Sequence, residues 1–569
     1  MRLITLLYLF ASISSAIAMD HAHEHTNSSP SKEIATNPTN KTSLIPIPHV
    51  AHHMHGVPIL EMDLLPEERL FWENYNTTTY FNVATKHRAA LYLHIGFALI
   101  SVIFIYPIAL IFNNLNMHKS YMTTLFVHSG VIVFSLLNYS IFINSIPELY
   151  PGNAYSKMMV ILFVTTILQV IFALIRSIDP NTTSGTQYHT LHSDDESRNS
   201  LTHDGEEEEE SSSRMEKPVV ITGDNILGKI MRLRIWVAQT RFHKVAVIGF
   251  NFLNWGHFFY FLITVPTGVA TFLVYGKGNT VFNLLAHFIK GGVFFAYGIL
   301  TLARYSGGFL NKGWAWNHKF ISTANRSRWF SFQNKGLCTM EMLESSLILF
   351  YGSTNIFLEH LGNAGGEWSA KDLQHASIAF IYIGCGLCGV ICENKLSDWR
   401  YEQAKENLTK SDPTNDFSSI VKASPGYSPN PFPILTIYWT GVLMSAHEQA
   451  SELSTTIHTQ WGNLFVLGCA FRFLTYLLML LSSKLPHDLT RAGRPITELM
   501  VAFCLLCGGA IFIESCDPII LSFEYYGLTA GFTLNVSLGF ITLFMAWEMS
   551  LFAFKDWLKN KYIKEEQNV

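Results

Sequence analysis

The sequence predicts an all-α fold, a polytopic transmembrane helical bundle of about eleven spans. Three observations predict it. About eleven apolar stretches, each near the length that crosses a bilayer, lie between Ala89 and Phe552. Hydrophobic residues make up 49% of the 569-residue chain and charged residues only 14%, a balance suited to a bundle facing lipid. Lys and Arg collect in alternate connections, as the positive-inside rule requires. The net charge of −4 decides nothing, because the charges are segregated along the chain.

The first element expected is a signal peptide over residues 1–18, with an uncleaved first anchor as the alternative: Met1 and Arg2, an apolar run from Leu3 to Phe10, then the small-residue site Ala16, Ile17, Ala18. Residues 19–86 then read as a disordered lumenal tail, polar and rich in Pro, Thr and Asn, with glycosylation sequons at Asn27, Asn40 and Asn76. His21, His23 and His25, then His49, His52, His53 and His55, form tracts of the kind that bind soft or borderline metals. A flexible polar tail that merely contains histidine fits equally. The tail has no cysteine, so no disulfide framework holds it.

The expected spans are residues 89–112, 121–143, 155–176, 244–265, 281–303, 336–358, 373–392, 432–446, 461–482, 497–515 and 528–552, the eighth being the shortest. The first three make a membrane region over 87–177 and the other eight a second over 227–555. Between them, 178–226 is an acidic, Ser-rich linker containing Glu206–Glu210 and is expected to be disordered. A loop from about 394 to 431, ending in a Pro-rich stretch, is also expected to be irregular. Residues 556–569 are the cytosolic tail. With a lumenal N-terminus, the cytosolic connections hold Lys229, Arg234, Arg304, Lys319, Lys395, Arg400, Lys484, Arg491 and Lys555. The opposite loops are nearly free of Lys and Arg, apart from Lys86 and Arg88. The expected location is a membrane of the secretory pathway, the vacuole or the plasma membrane. The basic residues flank spans and orient them, so no nucleic-acid site is expected.

Ionisable groups inside lipid are costly and normally face a bundle interior. Glu359 and His360 end the sixth span and His375 opens the seventh, while His447 and Glu448 end the eighth and His458 opens the ninth. Both turns bring imidazoles and acids to one lumenal layer, and that ligand chemistry suits zinc, copper or iron. Helix-capping polar residues at the membrane interface are the alternative. An intramembrane polar core is expected from Lys290, Glu341, Glu344 and Arg472, with the two acids as partners for the two cations. Haem b needs two histidines at equal depth on facing helices. His94, His257 and His287 supply one lumenal-side pair, whereas the third span carries no histidine. The cysteine pairs Cys385/Cys388 and Cys504/Cys507 are read as helix packing. No phosphate-binding glycine loop or nucleophile elbow occurs.

Glu359-His360 through Asp372-Leu373-Gln374-His375, with His447-Glu448-Gln449 and His458-Thr459-Gln460-Trp461-Gly462, resembles the fungal YTP-one-type membrane protein family. Lys86-His87-Arg88-Ala89 through His94, with His128-Ser129-Gly130, is similar to that family's N-terminal region, which in turn resembles the ascorbate-reducible diheme cytochrome b fold. The resemblance covers most of the chain, from about His87 to Phe552. It implies a fungal multi-pass protein akin to electron-transport proteins and transfers no established activity. Three readings follow. One is transmembrane electron transfer through haem or a metal on His94, His257 and His287. Another is a metal-ion or proton transporter or sensor using His360, His375, His447 and His458, with Glu341, Glu344 and Lys290 as relay. The last is a non-catalytic scaffold.

Overall fold

In lipid each backbone N–H and C=O has to be satisfied within its own segment, which leaves helices for the apolar stretches. The computed structural model describes residues 45–48, 56–177, 241–323, 336–358, 366–368, 370–411, 413–414, 416–424, 430–446, 448–481 and 491–567. The expected signal peptide, Asn27, Asn40, the seven tail histidines and the linker 178–226 lie outside the described residues.

Helix α1 (Pro66–Glu73) precedes the apolar part of the chain. Helices α2 (Arg88–Ile100) and α3 (Tyr106–Asn114) form one rod through a π-helical turn, Ser101–Ile105. Pro107 has no N–H to offer the preceding turn, and the wider turn absorbs that loss. There follow α4 (His118–Ile143), α5 (Tyr155–Arg176), α6 (Arg241–Phe272) and α7 (Val281–Tyr305). After strand β1 (Lys319–Ser322) come α8 (Met340–Leu358) and α9 (Ala370–Ser411). Strand β2 (Ile420–Ser424) leads to α10 (Phe432–Ser445), α11 (Glu452–Leu481), α12 (Thr497–Glu514), α13 (Asp517–Tyr525) and α14 (Ala530–Gln567).

Each of the eleven expected spans overlaps a helix, although α8 is not among those long and apolar enough to cross a membrane. Among the described residues nine helices are long and apolar enough to cross a membrane, and α10 is a shorter apolar helix.

Two expectations of irregular chain are corrected. The loop from about 394 to 431 is largely ordered. Helix α9 extends to Ser411, about 63 Å of helix at 1.5 Å per residue, and β2 pairs antiparallel with β1, Lys319 opposite Ser424. Burial drives this ordering, since Tyr401 and Ala404 of α9 pack on Ile420 and Ala423 of β2. Likewise the last part of the tail folds. Trp72 of α1 is buried, and Tyr75 lies on the Tyr525 ring with centroids 5.0 Å apart. Burial, reinforced by the neighbouring Tyr275, pushes the Tyr75 phenol above its ordinary pKa.

The chain divides into two compact units. The smaller comprises Gly96–Leu137 and Lys157–Phe261, the larger Met1–Ile95, Asn138–Ser156 and Leu262–Val569. The divisions fall within α2, α4, α5 and α6.

In the larger unit α12 is the central helix. Of its apolar window 83% is buried, against 22–44% for the other candidate spans. Close approach is possible because the contact residues are small. A Cβ on Gly509 of α12 would stand 2.6 Å from the Phe295 nitrogen of α7, and one on Gly291 of α7 would stand 2.7 Å from the Gly509 oxygen. Helices α10 and α11 meet the same way at Gly441 and Gly462.

Gly509→Val should cost about 1–3 kcal/mol, because the neighbour is rigid backbone. Gly531→Ala, with nothing within 4 Å of its new methyl, should leave thermal unfolding in detergent unchanged. A Gly509→Val protein melting with the parent would contradict this packing.

Candidate functional site

A charged cluster lies buried in the larger unit, built from four helices. Tyr297 and Arg304 are seven residues apart on α7 and so share a face. Glu341 and Glu344 sit one turn apart on α8, Arg472 and Tyr476 one turn apart on α11, and Glu498 opens α12. Arg304, Glu341 and Glu498 are at most 1% exposed, and Arg472 only 4%.

Glu344 accepts a short hydrogen bond from the Tyr297 hydroxyl. The Arg472 Nη1 donates to that same hydroxyl at 3.1 Å. Both guanidinium groups approach Glu344 Oε1, Arg472 at 3.7 Å and Arg304 at 3.8 Å. On its other side Arg472 Nε lies 2.7 Å from Glu498 Oε1. That contact is an ion pair rather than an aligned hydrogen bond. It leaves both Glu498 oxygens and Arg472 Nη2 without a hydrogen-bond partner among the described residues. Tyr476 donates to Glu341 Oε1 at 3.1 Å. The Trp316 indole lies under both cations, 4.5 Å from the Arg304 guanidinium carbon and 5.8 Å from that of Arg472. Such contacts stabilise a desolvated cation. Trp316 is held there with φ +57°, in the left-handed region that bulky residues rarely occupy.

Three carboxyls thus face two guanidinium groups in a dry interior. With every group ionised the cluster would carry surplus negative charge, which burial opposes. Beside it lies a cavity of about 20 Å³, bounded by Tyr297, Glu344, Arg472, Phe465 and Cys469. That is room for one water with polar partners on its wall.

The expected core residues Glu341, Glu344 and Arg472 are therefore brought together. The partner cation is Arg304 rather than Lys290, which is half-buried two turns before Tyr297 on α7. Arg304, Trp316, Tyr476 and Glu498 were not expected in the cluster. Arg304 reads in sequence as one more cytosolic-loop cation, yet its Nε donates to the Trp314 carbonyl at 2.7 Å. Only Tyr476, one turn beyond Arg472, carried a legible signal. A second buried pair carries more hydrogen bonds, with only Arg400 Nε lacking a hydrogen-bond partner among the described residues. Arg400 meets Glu393 at 2.5 and 3.2 Å, and Thr339 and Asn430 donate to the same carboxylate at 2.6 and 2.8 Å.

The expected histidine sites separate. In the smaller unit His257 has both ring nitrogens engaged, Nδ1 with Gln169 Oε1 at 2.7 Å and Nε2 with Thr165 Oγ1 at 2.8 Å. It has no nitrogen left for a haem iron. Gln169 donates in turn to Asn254 Oδ1 at 3.3 Å, which also accepts from Tyr121 at 3.0 Å, so this histidine belongs to a satisfied polar network. His94, in the larger unit, has Nε2 on the Tyr155 hydroxyl at 2.8 Å. Haem ligation would require that bond to break.

Of the expected metal layer, Glu359, His360 and His447 lie outside the described residues. His375 is half-buried and Glu448 exposed. His458 is buried on α11 beside His287 of α7, ring centroids 5.9 Å apart. Among the described residues no three His, Cys, Asp or Glu side chains come together as a metal-binding set. Asn76 is exposed, and its side-chain oxygen accepts the Thr78 N–H at 2.9 Å. None of the eight cysteines is joined in a disulfide.

Comparison with known proteins places this arrangement in context. Residues 260–556 match the family model described as Protein YTP1-like, C-terminal, and residues 74–179 match a Domain of unknown function (DUF2427). An uncharacterized membrane protein of Saccharomyces cerevisiae is 40% identical over 588 aligned positions, covering 91% of either chain. An uncharacterized membrane protein of Schizosaccharomyces pombe is 35% identical over 52% of this chain and 56% of its own. Protein YTP1 of Saccharomyces cerevisiae is 23% identical over 40% of this chain and 44% of its own. No solved structure matches.

Removing one partner of a buried ion pair strands the other's charge, at a cost of about 3–5 kcal/mol. Arg472→Leu should therefore melt well below the parent in detergent, while Arg472→Leu combined with Glu498→Leu should recover much of the loss. Equal melting of parent and single variant would show that the cluster carries no such coupling.

Proposed function

Because this chain belongs to the Ytp1-like family of fungal multi-pass membrane proteins, we propose that its larger unit is a proton pathway with the Glu344–Arg472 cluster as its switching centre. One observation carries the reading: three buried carboxyls meet two buried guanidinium groups, and Glu344 and Arg472 among them border a cavity with room for one water. Charge balance there calls for one proton more than the arginines supply, and a carboxyl is the group that takes it or gives it up.

The roles follow from the contacts. Glu344 receives the proton, through Tyr297 or through water in the cavity. Once Glu344 is neutral, Arg472 loses one of its two anionic neighbours and rests on Glu498, 2.7 Å away. When Glu344 gives the proton up, Arg472 is drawn back to it. Trp316 holds the second guanidinium, that of Arg304, in place and keeps water out. Arg472 is thus a cation between two acids, and its position reports the state of Glu344.

Helices α7 and α11 continue from the cluster to the His287 end of the bundle. Tyr297 lies about 15 Å along α7 from His287, at 1.5 Å per residue. Between them an aromatic block closes the path: Phe294 on Phe465 at 4.3 Å and Trp461 on Phe512 at 4.1 Å. A proton crossing the bundle needs those rings to move, so passage would be gated rather than continuous. We place the protein in a membrane of the secretory route, with a lumenal N-terminus and a cytosolic C-terminus.

Liposomes containing the purified full chain and a pH-sensitive dye should acidify under an imposed potassium diffusion potential. Glu344→Gln, which keeps the shape and removes the titratable proton, should slow this about tenfold or more. Glu406→Gln, on an exposed stretch of α9, should not. A Glu344→Gln protein that acidifies at the parent's rate would overturn the proposal.

A further inference from the structure

We infer that Asn76 carries an N-linked glycan. The inference rests on the lumenal placement of the N-terminus and needs nothing of the proton pathway.

Asn76, Thr77 and Thr78 make the acceptor pattern Asn-x-Ser/Thr, which calls for a surface loop on the lumenal side. Two aromatic anchors hold that loop against the bundle. On one side Tyr75 lies on the Tyr525 ring, centroids 5.0 Å apart. On the other, Tyr80 is buried on Phe142 and Phe272, at the ends of α4 and α6, and its N–H donates to the Phe272 carbonyl at 2.9 Å. Between the anchors Asn76 and Thr78 are exposed, while Thr77 and Thr79 are half-buried. The acceptor amide and the hydroxyl two residues on therefore both face solvent. Asn82 braces the loop: its Nδ2 donates to the Thr77 carbonyl at 2.8 Å, and its Oδ1 accepts the Thr79 N–H at 2.7 Å.

The hydrogen bonding of Asn76 leaves the right atom to the sugar. The Thr78 N–H donates to Asn76 at 2.9 Å, so the accepting atom is the amide oxygen, Oδ1. Nδ2 is the other arm of the amide and is the atom that is modified. In the transfer Nδ2 bonds to C1 of the sugar and gives up one proton. The bond from C1 to a lipid diphosphate breaks, and the diphosphate leaves with the electron pair. Nothing is oxidised or reduced. Oδ1 is untouched, so the turn survives the modification.

Among the described residues the same pattern recurs at Asn138, Asn407 and Asn535, all within helices. A glycan attached to the nascent chain still has to find room once the helices pack. Asn138 is 8% exposed, too enclosed for an oligosaccharide. Asn535 lies in the apolar span Ala530–Tyr562, where a sugar would lose its water without compensation. Asn407 lies near the end of α9, on the side placed in the cytosol, away from the sugar donor.

The test uses the full chain expressed in a eukaryotic host, with Asn27→Gln and Asn40→Gln so that Asn76 is the tail's remaining acceptor. Digestion with a peptide N-glycosidase should shift its mobility on a denaturing gel, and mass spectrometry of the digest should find Asn76 converted to Asp. Asn76→Gln and Thr78→Val should each abolish the shift, whereas Thr78→Ser, which keeps the hydroxyl, should retain it. Asn138→Gln, Asn407→Gln and Asn535→Gln should leave it unchanged. The readout is covalent, so a variant that folds poorly still reports. Protease added to sealed microsomes reads the orientation separately, through an epitope placed in the tail. A protected epitope without the shift overturns the glycan alone, and an epitope cut from the cytosolic side overturns the glycan and the lumenal placement together. Proton flux in liposomes is measured apart from both, so the proton reading stands or falls by itself.

Discussion

The position of Arg472 between Glu344 and Glu498 governs the larger unit. A guanidinium at 4% exposure is stable only if opposite charge meets it from within the bundle. That requirement draws α8 and α12 onto α11, and Tyr297 ties α7 to the same point. Trp316, held in an unfavourable backbone conformation, and Arg304, turned back from the end of its helix, are both explained by the need to enclose this charge.

Such a cluster is affordable only where helices approach closely, because any gap would admit lipid or bulk water. The glycines supply that approach. Gly291 and Gly298 of α7 face α12, and Gly468 of α11 stands against Cys504 of α12. The result is a helix, α12, almost enclosed by its neighbours, carrying Glu498 at one end and Glu514 at the other. Glu514 is buried too and accepts from the Ser537 hydroxyl at 2.6 Å. The two units handle buried polarity differently. In the smaller one His257, Gln169, Asn254 and Tyr121 form a hydrogen-bonded network without a carboxylate, whereas the larger concentrates charge.

The histidines illustrate how alike residues diverge in role. In sequence His94, His257, His287 and His458 are equivalent: imidazoles within or beside apolar stretches. In the fold His257 is saturated by side chains and His94 is held by a tyrosine. His287 and His458 are bonded through Nδ1 to their own helices and meet edge to face, centroids 5.9 Å apart. Periodicity alone cannot separate these cases, because it fixes the face of a helix and not what stands opposite.

The sequence by itself determined that the chain is a helical membrane bundle, since lipid forbids unsatisfied backbone and twenty apolar residues have few other fates. It also determined that Glu341, Glu344 and Arg472 would seek one another, since isolated charge is intolerable there. Tertiary structure alone decided the rest. It chose Arg304 over Lys290, recruited Trp316 and Glu498, ordered the segment after α9 through Tyr401 and β2, and buried Trp72 and Tyr80 of the segment before α2. The reason is one of range: helix formation depends on local hydropathy and backbone bonding, whereas the partners of a buried group depend on which faces of distant helices meet.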